Sequence, residues 1–184
     1  MSASDHASFY RELHADHPNQ AHFDFGSTKT FLDGIPGDLA VVELGGYDGE
    51  LAALCLDNYQ RIVRWDNYDL DPKGESRRGR YAAFQLEKQL WEEVDMLDAD
   101  VFVASHTIEH LSEHDVRKLL GCVSSVPYLF LDAPLDERVQ QTWDGGTCAH
   151  KLHLTWPELE ALVCGFGYSV QRLSDTARGF RGLP

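Results

Sequence analysis

Basic residues are scarce in this 184-residue chain, which has 16 Lys and Arg against 30 Asp and Glu and a formal net charge of −14. With a pI near 4.9, the protein would repel phosphate groups at long range. We therefore expect no nucleic-acid partner and no binding to a membrane surface. The acidity favours a small ligand that is neutral or cationic.

Long apolar runs are also missing, since none approaches the roughly 20 residues that a membrane-spanning helix needs. The first residues, Met1–His6, have neither a basic start nor an apolar stretch, so we expect no signal peptide. The four cysteines form no CxxC pair, which excludes the usual zinc-ribbon and thioredoxin-type spacings. The expected location is the cytoplasm, with the thiols reduced.

The overall composition is that of one ordinary globular domain, with 43% hydrophobic and 25% charged residues. Residues 1–36 are polar, and the spacing of Phe9 and Leu13 predicts one short helix there. We interpret residues 1–36 as an N-terminal helical segment that forms a partial lid. Residues 37–184 form the predicted α/β domain.

From Leu39 onward, short apolar runs alternate with helical patterns, which predicts parallel strands buried on both faces. With right-handed crossovers, such strands give an open, doubly wound sheet, and ligands bind at the carboxyl ends of its strands. The predicted strands are Leu39–Leu44, Ile62–Trp65 with a continuation to Pro72, Tyr81–Leu86, Asp100–Ser105, Pro127–Asp132 and Tyr168–Leu173. The predicted helices run from Glu50 to Arg61, Ser112 to Leu120 and Thr155 to Gly165.

A glycine turn follows the first strand, with Gly45, Gly46 and Gly49 allowing the backbone to approach a ligand closely. The spacing is neither GxGxxG nor a P-loop. The flanking carboxylates of Glu43 and Asp48 disfavour a pyrophosphate and favour a cofactor with a cationic ammonium or sulfonium group. The alternative is that the turn only connects a strand tightly to a helix.

Asp69 ends the second predicted strand, where a carboxylate can accept hydrogen bonds from both hydroxyl groups of a ribose. The alternative interpretation is an acidic turn before Pro72. The order of the glycine turn and this aspartate favours the ribose-binding role.

Four segments in order resemble class I S-adenosylmethionine-dependent methyltransferases of the small-molecule type, and together they span residues 39–173. The segments are Val41–Gly49, Tyr68–Pro72, Ala99–Leu111, and Thr155–Leu162 with Gly165–Tyr168. The resemblance implies a Rossmann-like, mostly parallel seven-stranded sheet with an antiparallel C-terminal strand. It also implies S-adenosyl-L-methionine as the cofactor.

The resemblance further implies which residues bind this cofactor. Glu43, Gly45 and Gly46 would hold the methionine moiety, within a turn that also includes Gly49. Asp69 would bind the ribose, Leu70 would pack near the adenine, and Ser105 would offer its backbone. One departure from the family pattern is Tyr47, which stands where the motif usually has a glycine; we include it in the cofactor turn.

Histidines supply the candidate catalytic groups. His106 follows the fourth predicted strand directly, and imidazole changes its protonation state near neutral pH, so we predict that it removes a proton from the acceptor. The resemblance places the loop with His150 and His153 over the substrate. We assign His153 a catalytic role, and His110 and His150 substrate-binding roles.

The same region also matches HxxEH, from His106 to His110, which is the motif of inverted zinc peptidases. His106 would then have to lie inside a helix, whereas here it follows a strand. We therefore expect no metal, and zinc hydrolysis is the least favoured function. The preferred prediction is methyl transfer to a small-molecule acceptor by direct displacement, and the main alternative is a methyltransferase-like domain that binds a ligand or partner without catalysis.

Overall fold

The computed structural model describes residues 23–70, 72, 79–86, 94, 96, 98–135 and 151–183. The predicted helix around Phe9 and Leu13 lies outside these residues, and so does His150. The helices are α1 (Phe25–Asp33), α2 (Glu50–Asn58), α3 (Glu113–Val123) and α4 (Trp156–Gly165), with a 3-10 turn at Ile108–His110. The strands are β1 (Leu39–Leu44), β2 (Ile62–Asp69), β3 (Tyr81–Gln85), β4 (Val101–Ser105), β5 (Tyr128–Asp132), β6 (Tyr168–Arg172) and β7 (Ala177–Gly182).

The strands form a seven-stranded sheet in the order β3-β2-β1-β4-β5-β7-β6. The pairs among β1 to β5 are parallel, and β7 pairs antiparallel with both β5 and β6. This arrangement confirms the predicted α/β class and the doubly wound, mostly parallel sheet. Because β1 lies between β2 and β4, the turn after β1 lies where the chain direction across the sheet reverses, which is where such folds bind ligands.

Both faces of the sheet are covered, as the apolar strands predict. One apolar cluster joins α1 and α2 to side chains such as Val41 and Val103. A second cluster joins α3 and α4 to their strand neighbours Val42 and Phe102, which point to the opposite face. α1 buries Phe31 in the first cluster. The proposed division of the chain at residue 36 stays a prediction.

The last strand, β7, was not predicted from the residue pattern, in which the last strand ends at Leu173. Arg178 and Gly179 interrupt the apolar pattern of this strand, so its sequence does not alternate as expected. The structure buries Arg178 because its guanidinium donates to Glu160 (Nε to Oε1, 2.6 Å) and lies 4.4 Å from the ring centroid of Trp156. A buried arginine with a carboxylate partner can thus occupy a strand that a hydrophobic pattern does not predict.

Local capping sets where α3 and α4 begin, and both helices begin after loops at the carboxyl edge of the sheet. Ser112 caps α3 by accepting the Asp115 amide at 3.2 Å, as the sequence predicts. Thr155 and Glu158 form the predicted capping box at the start of α4, where the Thr155 amide donates to Glu158 Oε2 at 2.8 Å. None of the helices in the described part of the chain has the length and apolar character needed to cross a bilayer.

Candidate functional site

Gly45 begins the turn after β1 in a left-handed conformation, with φ at +78°. A Cβ at this position would overlap the side chain of Thr107, whose hydroxyl donates to the Leu44 carbonyl oxygen at 2.9 Å. The position therefore needs glycine both for its backbone angle and for the close approach of Thr107. Through this contact, the turn after β1 is packed against the loop after β4.

Glu43 lies beneath the turn rather than in the open cleft. Its side chain is 2% exposed and accepts the Trp65 indole N–H at 2.8 Å. A Cβ on Gly46 would overlap this carboxylate, so the absence of a side chain at Gly46 lets the backbone cross directly above it. Glu43 therefore supports the turn from below, through its charge and through the position of Gly46.

The protonation of Glu43 is balanced near neutrality. Burial raises the pKa of Glu43 to about 7, the Trp65 hydrogen bond opposes that rise, and the charges of Asp69 and Asp48 add to it. A cation bound at the turn would favour the ionised carboxylate. The turn thus combines carboxylates that together suit a positively charged group.

The middle of the turn is held by side chains from the end of β2. The Tyr47 amide donates to Asp69 Oδ2 at 3.0 Å, and the Gly46 amide donates to Asn67 Oδ1 at 3.0 Å. Tyr47 has φ at +38°, which is uncommon for a residue with a Cβ. Asn67 is itself buried and donates to the Tyr81 hydroxyl at 3.0 Å.

The remaining predicted cofactor residues lie around this turn. Gly49 precedes α2 with φ at +72°, and a Cβ there would lie 2.6 Å from the Tyr81 hydroxyl. Leu70 is half-buried against the apolar cluster below α3 and α4. Ser105 is buried at the end of β4, where its hydroxyl donates to Asp132 Oδ2 at 3.1 Å. The cofactor roles of these residues stay predictions.

His106 lies between two buried carboxylates at the end of β4. Its Nδ1 is 3.5 Å from Glu109 Oε1, and its Nε2 is 3.9 Å from Asp132 Oδ2. Glu109 is 1% exposed and Asp132 is fully buried, whereas the His106 side chain is 35% exposed. The imidazole is thus the solvent-accessible member of a cluster whose two carboxylates are buried.

The charges in this cluster set one another's protonation. Burial alone would lower the pKa of His106, but the Glu109 hydrogen bond and the charges of Glu109 and Asp132 outweigh it and raise the pKa. Burial would raise the pKa of Glu109, yet the two neighbouring histidines hold it below its usual value. Burial raises the pKa of Asp132, against the opposing charge of His106.

The other predicted histidines differ in position. The His110 Nε2 lies 3.7 Å from Glu109 Oε1, so His110 belongs to the same cluster. The segment that carries His153 is tied to it by the Lys151 amide, which donates to the Glu109 carbonyl oxygen at 2.8 Å. The His153 side chain itself is exposed. Its catalytic role stays a prediction, and the role of His150 falls outside the described residues.

The zinc interpretation finds no support in the part of the chain that the structure describes. No three His, Cys, Asp or Glu side chains there are arranged to hold a metal ion. The HxxEH segment is a loop followed by the 3-10 turn Ile108–His110, so His106 and His110 do not share a helix face.

Several residues in these clusters had no functional assignment from the sequence. Asp132 is the last residue of its strand just as Asp69 is, and that parallel was the available signal. Glu109 appeared only as part of the HxxEH motif. Asn67 is a buried amide, but it lies in β2 near the half-buried polar residues Arg64 and Asp66, so its place in the sequence did not distinguish it.

Comparison with known proteins gives a clear result for the fold. No protein-family model matches the sequence, and no curated protein matches it. Among solved structures, the methyltransferase domain of the bacterial CtHen1-CN has a TM-score of 0.62 at 19% identity, with 86% of this chain and 97% of that chain covered. The chain has the class I methyltransferase fold.

Two further structures with this fold differ in what their names describe. One is the 1,6-didemethyltoxoflavin-N1-methyltransferase of Burkholderia thailandensis with bound 1,6-didemethyltoxoflavin and S-adenosylhomocysteine; its TM-score is 0.67 at 15% identity, with 99% of this chain and 87% of that chain covered. The other is the small RNA methyltransferase HEN1, with a TM-score of 0.64 at 16% identity. The match covers 90% of this chain but only 26% of HEN1.

Replacing Gly45 with alanine tests whether this position needs a glycine. We expect Gly45→Ala to lower the free energy of unfolding by about 2–4 kcal/mol, because the backbone strain and the overlap with Thr107 add. Gly121 lies within α3 with open space around its Cβ position, so Gly121→Ala should raise the free energy of unfolding by about 0.5–1 kcal/mol. Urea denaturation measures both, and similar values for the two variants would contradict the prediction.

Stability as a function of pH tests the environment of Glu43. A folded pKa of about 7 lies above the ordinary value of 4.5, so the folded state gains stability from Glu43 at low pH and loses it as the pH rises through about 7. Between pH 4.5 and 8, wild type should lose on the order of 3 kcal/mol relative to Glu43→Gln, which cannot titrate. Glu50→Gln, at the exposed start of α2, should run parallel to wild type. Parallel curves for Glu43→Gln would contradict a raised pKa.

Proposed function

We propose that this protein transfers the methyl group of S-adenosyl-L-methionine to a small-molecule acceptor. The observation that carries the proposal is the turn after β1, whose backbone is held by the Asp69 carboxylate and which packs against the loop containing His106. Asp69, the candidate ribose-binding residue, and His106, the candidate base, therefore lie at the same edge of the sheet. A solved structure with the same fold, whose sequence is 15% identical to this chain, contains bound S-adenosylhomocysteine.

The chemistry of the turn fits the proposed cofactor. Asp69 is only half-buried, and its carboxylate, which accepts the Tyr47 amide, is of the kind that can also accept hydrogen bonds from ribose hydroxyl groups. Gly45 and Gly46 present backbone without side chains in the way, while Glu43 and Asp48 contribute negative charge for a cationic methionine moiety. Bound S-adenosylmethionine would supply an activated methyl group on a sulfonium that leaves as a neutral thioether.

The contribution of the chain to the reaction is then mainly alignment. Holding the acceptor in line with the methyl group accounts for most of the acceleration available to such a displacement. His106 would take the proton that the acceptor loses, which is a smaller term. The raised pKa makes His106 a stronger base than an ordinary histidine. The imidazole must be neutral to accept a proton.

The acceptor class is proposed from charge. The names of structures with this fold include both small-molecule and small-RNA methyltransferases. A chain with a formal charge of −14 would repel a polyanion at long range, which favours a small molecule. The proposed partners are accordingly a small-molecule acceptor and S-adenosylmethionine, without nucleic acid.

One observation favours a non-catalytic alternative, in which the domain binds a ligand or a partner. Tyr47 places a large residue with φ at +38° in a turn where the resembling family usually has glycine. Binding of the cofactor discriminates between the two functions, since a domain without this ligand cannot transfer its methyl group.

Calorimetry on the full chain tests the proposal. We expect S-adenosylmethionine and S-adenosylhomocysteine both to bind and to raise the melting temperature. Asp69→Ala should weaken binding by roughly ten- to a hundredfold, because hydrogen bonds to a charged group are lost. Asp38→Ala removes an exposed carboxylate from the opposite edge of the sheet and should leave binding unchanged. Absence of heat and of thermal stabilisation with either ligand would rule out the methyltransferase function.

A further inference from the structure

We infer that Asp132 is a positioning residue for His106, fixing the imidazole at the carboxyl end of β4 through its negative charge and its main chain. The reaction that His106 serves rests on the proposed function. The coupling between the two side chains rests on geometry alone.

The Asp132 carboxylate is held rigidly. Asp132 is the last residue of β5 and pairs in register with Ser105, whose hydroxyl donates to Oδ2 at 3.1 Å. The Asp24 amide, just before α1, donates to the same oxygen at 3.0 Å. With the side chain fully buried, its position is set by strands β4 and β5 and by the start of α1.

Asp132 holds His106 through both the main chain and the side chain. Its carbonyl oxygen accepts the His106 amide at 2.7 Å, and its Oδ2 lies 3.9 Å from His106 Nε2. His106 has φ at +49°, a conformation that costs free energy for a residue with a Cβ. Contacts of this kind are what keep a strained residue in place, and strain of this kind is common at functional sites.

A purely structural role does not explain a carboxylate here. The donors to Asp132 Oδ2, Asp24 N–H and Ser105 O–H, need only a neutral acceptor such as an amide oxygen. Burying a negative charge costs free energy, and Oδ1 of Asp132 has no hydrogen-bond partner among the described residues. What aspartate provides and asparagine does not is the charge that faces the imidazole.

The groups around His106 divide the work. Glu109, which also has His110 beside it, faces His106 from the 3-10 turn. Asp132 faces His106 from the end of β5, and Ser105 and Asp24 hold Asp132 in place. Glu109 lies near Nδ1 and Asp132 near Nε2, so each ring nitrogen has its own carboxylate. Burial would lower the pKa of His106, and the charges of both acids raise it instead.

Titration of the His106 ring by NMR tests the inference directly. Asp132→Asn keeps the shape and an acceptor oxygen but removes the charge, so the measured pKa of His106 should fall by about one pH unit. Glu113→Gln removes a carboxylate from the exposed side of α3, where it pairs with Arg117, and should leave the pKa unchanged. His106→Gln identifies the resonance. An unchanged pKa in folded Asp132→Asn overturns the inference.

The reverse experiment does not depend on Asp132→Asn folding. Electrostatic coupling is reciprocal: if the Asp132 charge raises the pKa of His106, the His106 charge lowers the pKa of Asp132 by the same amount. Loss of the His106 ring must therefore raise the pKa of Asp132. In His106→Gln, which alters a partly exposed side chain, the carboxyl carbon of Asp132 should titrate about one pH unit higher than in wild type. The same carboxyl pKa in both proteins would overturn the inference.

Cofactor binding separates this inference from the proposed function. Asp132→Asn should bind S-adenosylmethionine as wild type does, because Asp132 lies on the His106 side of the site and not in the turn after β1. If wild type fails to bind it, the methyltransferase proposal fails, and the titrations still decide whether Asp132 and His106 are coupled. If binding is normal and the pKa of His106 does not move, only the positioning role fails.

Discussion

The parallel register of β2, β1, β4 and β5 is the constraint on which the candidate site depends. Leu44 pairs with Tyr68 on one side and with Ala104 on the other, and Ser105 pairs with Asp132. Four strands therefore end at nearly the same level, and the residues that follow them meet at one edge. A shift of one residue in any pair would turn side chains to the other face of the sheet and separate the groups.

At that edge, the sheet places carboxylates in two different environments. Glu43 has an indole N–H as its hydrogen-bond partner and two other acids nearby, so burial dominates and its pKa rises. Glu109 is just as buried, but two histidines face it and its pKa falls. The sign of each shift is thus set by whether a cationic neighbour is present. The Glu43 environment would suit the cationic methionine moiety of the proposed cofactor, whereas the Glu109 environment already contains its own cationic neighbours.

The sequence predicts the layered part of this structure well and the contacts of the site less well. The runs at β1, β4 and β5 are continuous and apolar, so their position and their burial on both faces could be predicted. β7 could not, because Arg178 is buried by partners, Glu160 and Trp156, that lie elsewhere in the sequence. The order of strand ends likewise identified the glycine turn and Asp69 as candidates.

Contacts between loops depend on backbone angles that composition does not encode. Nothing in the sequence indicated that Thr107 would lie against Gly45, or that His106 would take a positive φ between Glu109 and Asp132. The resemblance to methyltransferases named the cofactor turn, but it did not indicate a carboxylate on either side of the histidine. Those relations follow only once the register fixes where each loop begins.

Tyr47 shows how the turn keeps its geometry without the usual glycine. A left-handed conformation costs roughly 1–2 kcal/mol for a residue with a Cβ. The amide of Tyr47 donates to a carboxylate, Asp69, and such charge-assisted hydrogen bonds are stronger than neutral ones. Because the main chain makes this bond, any residue that tolerates the backbone angle can form it. The strain in the turn and the charge at the end of β2 are therefore linked, and a ribose that shares Asp69 would share the group that holds the turn in place.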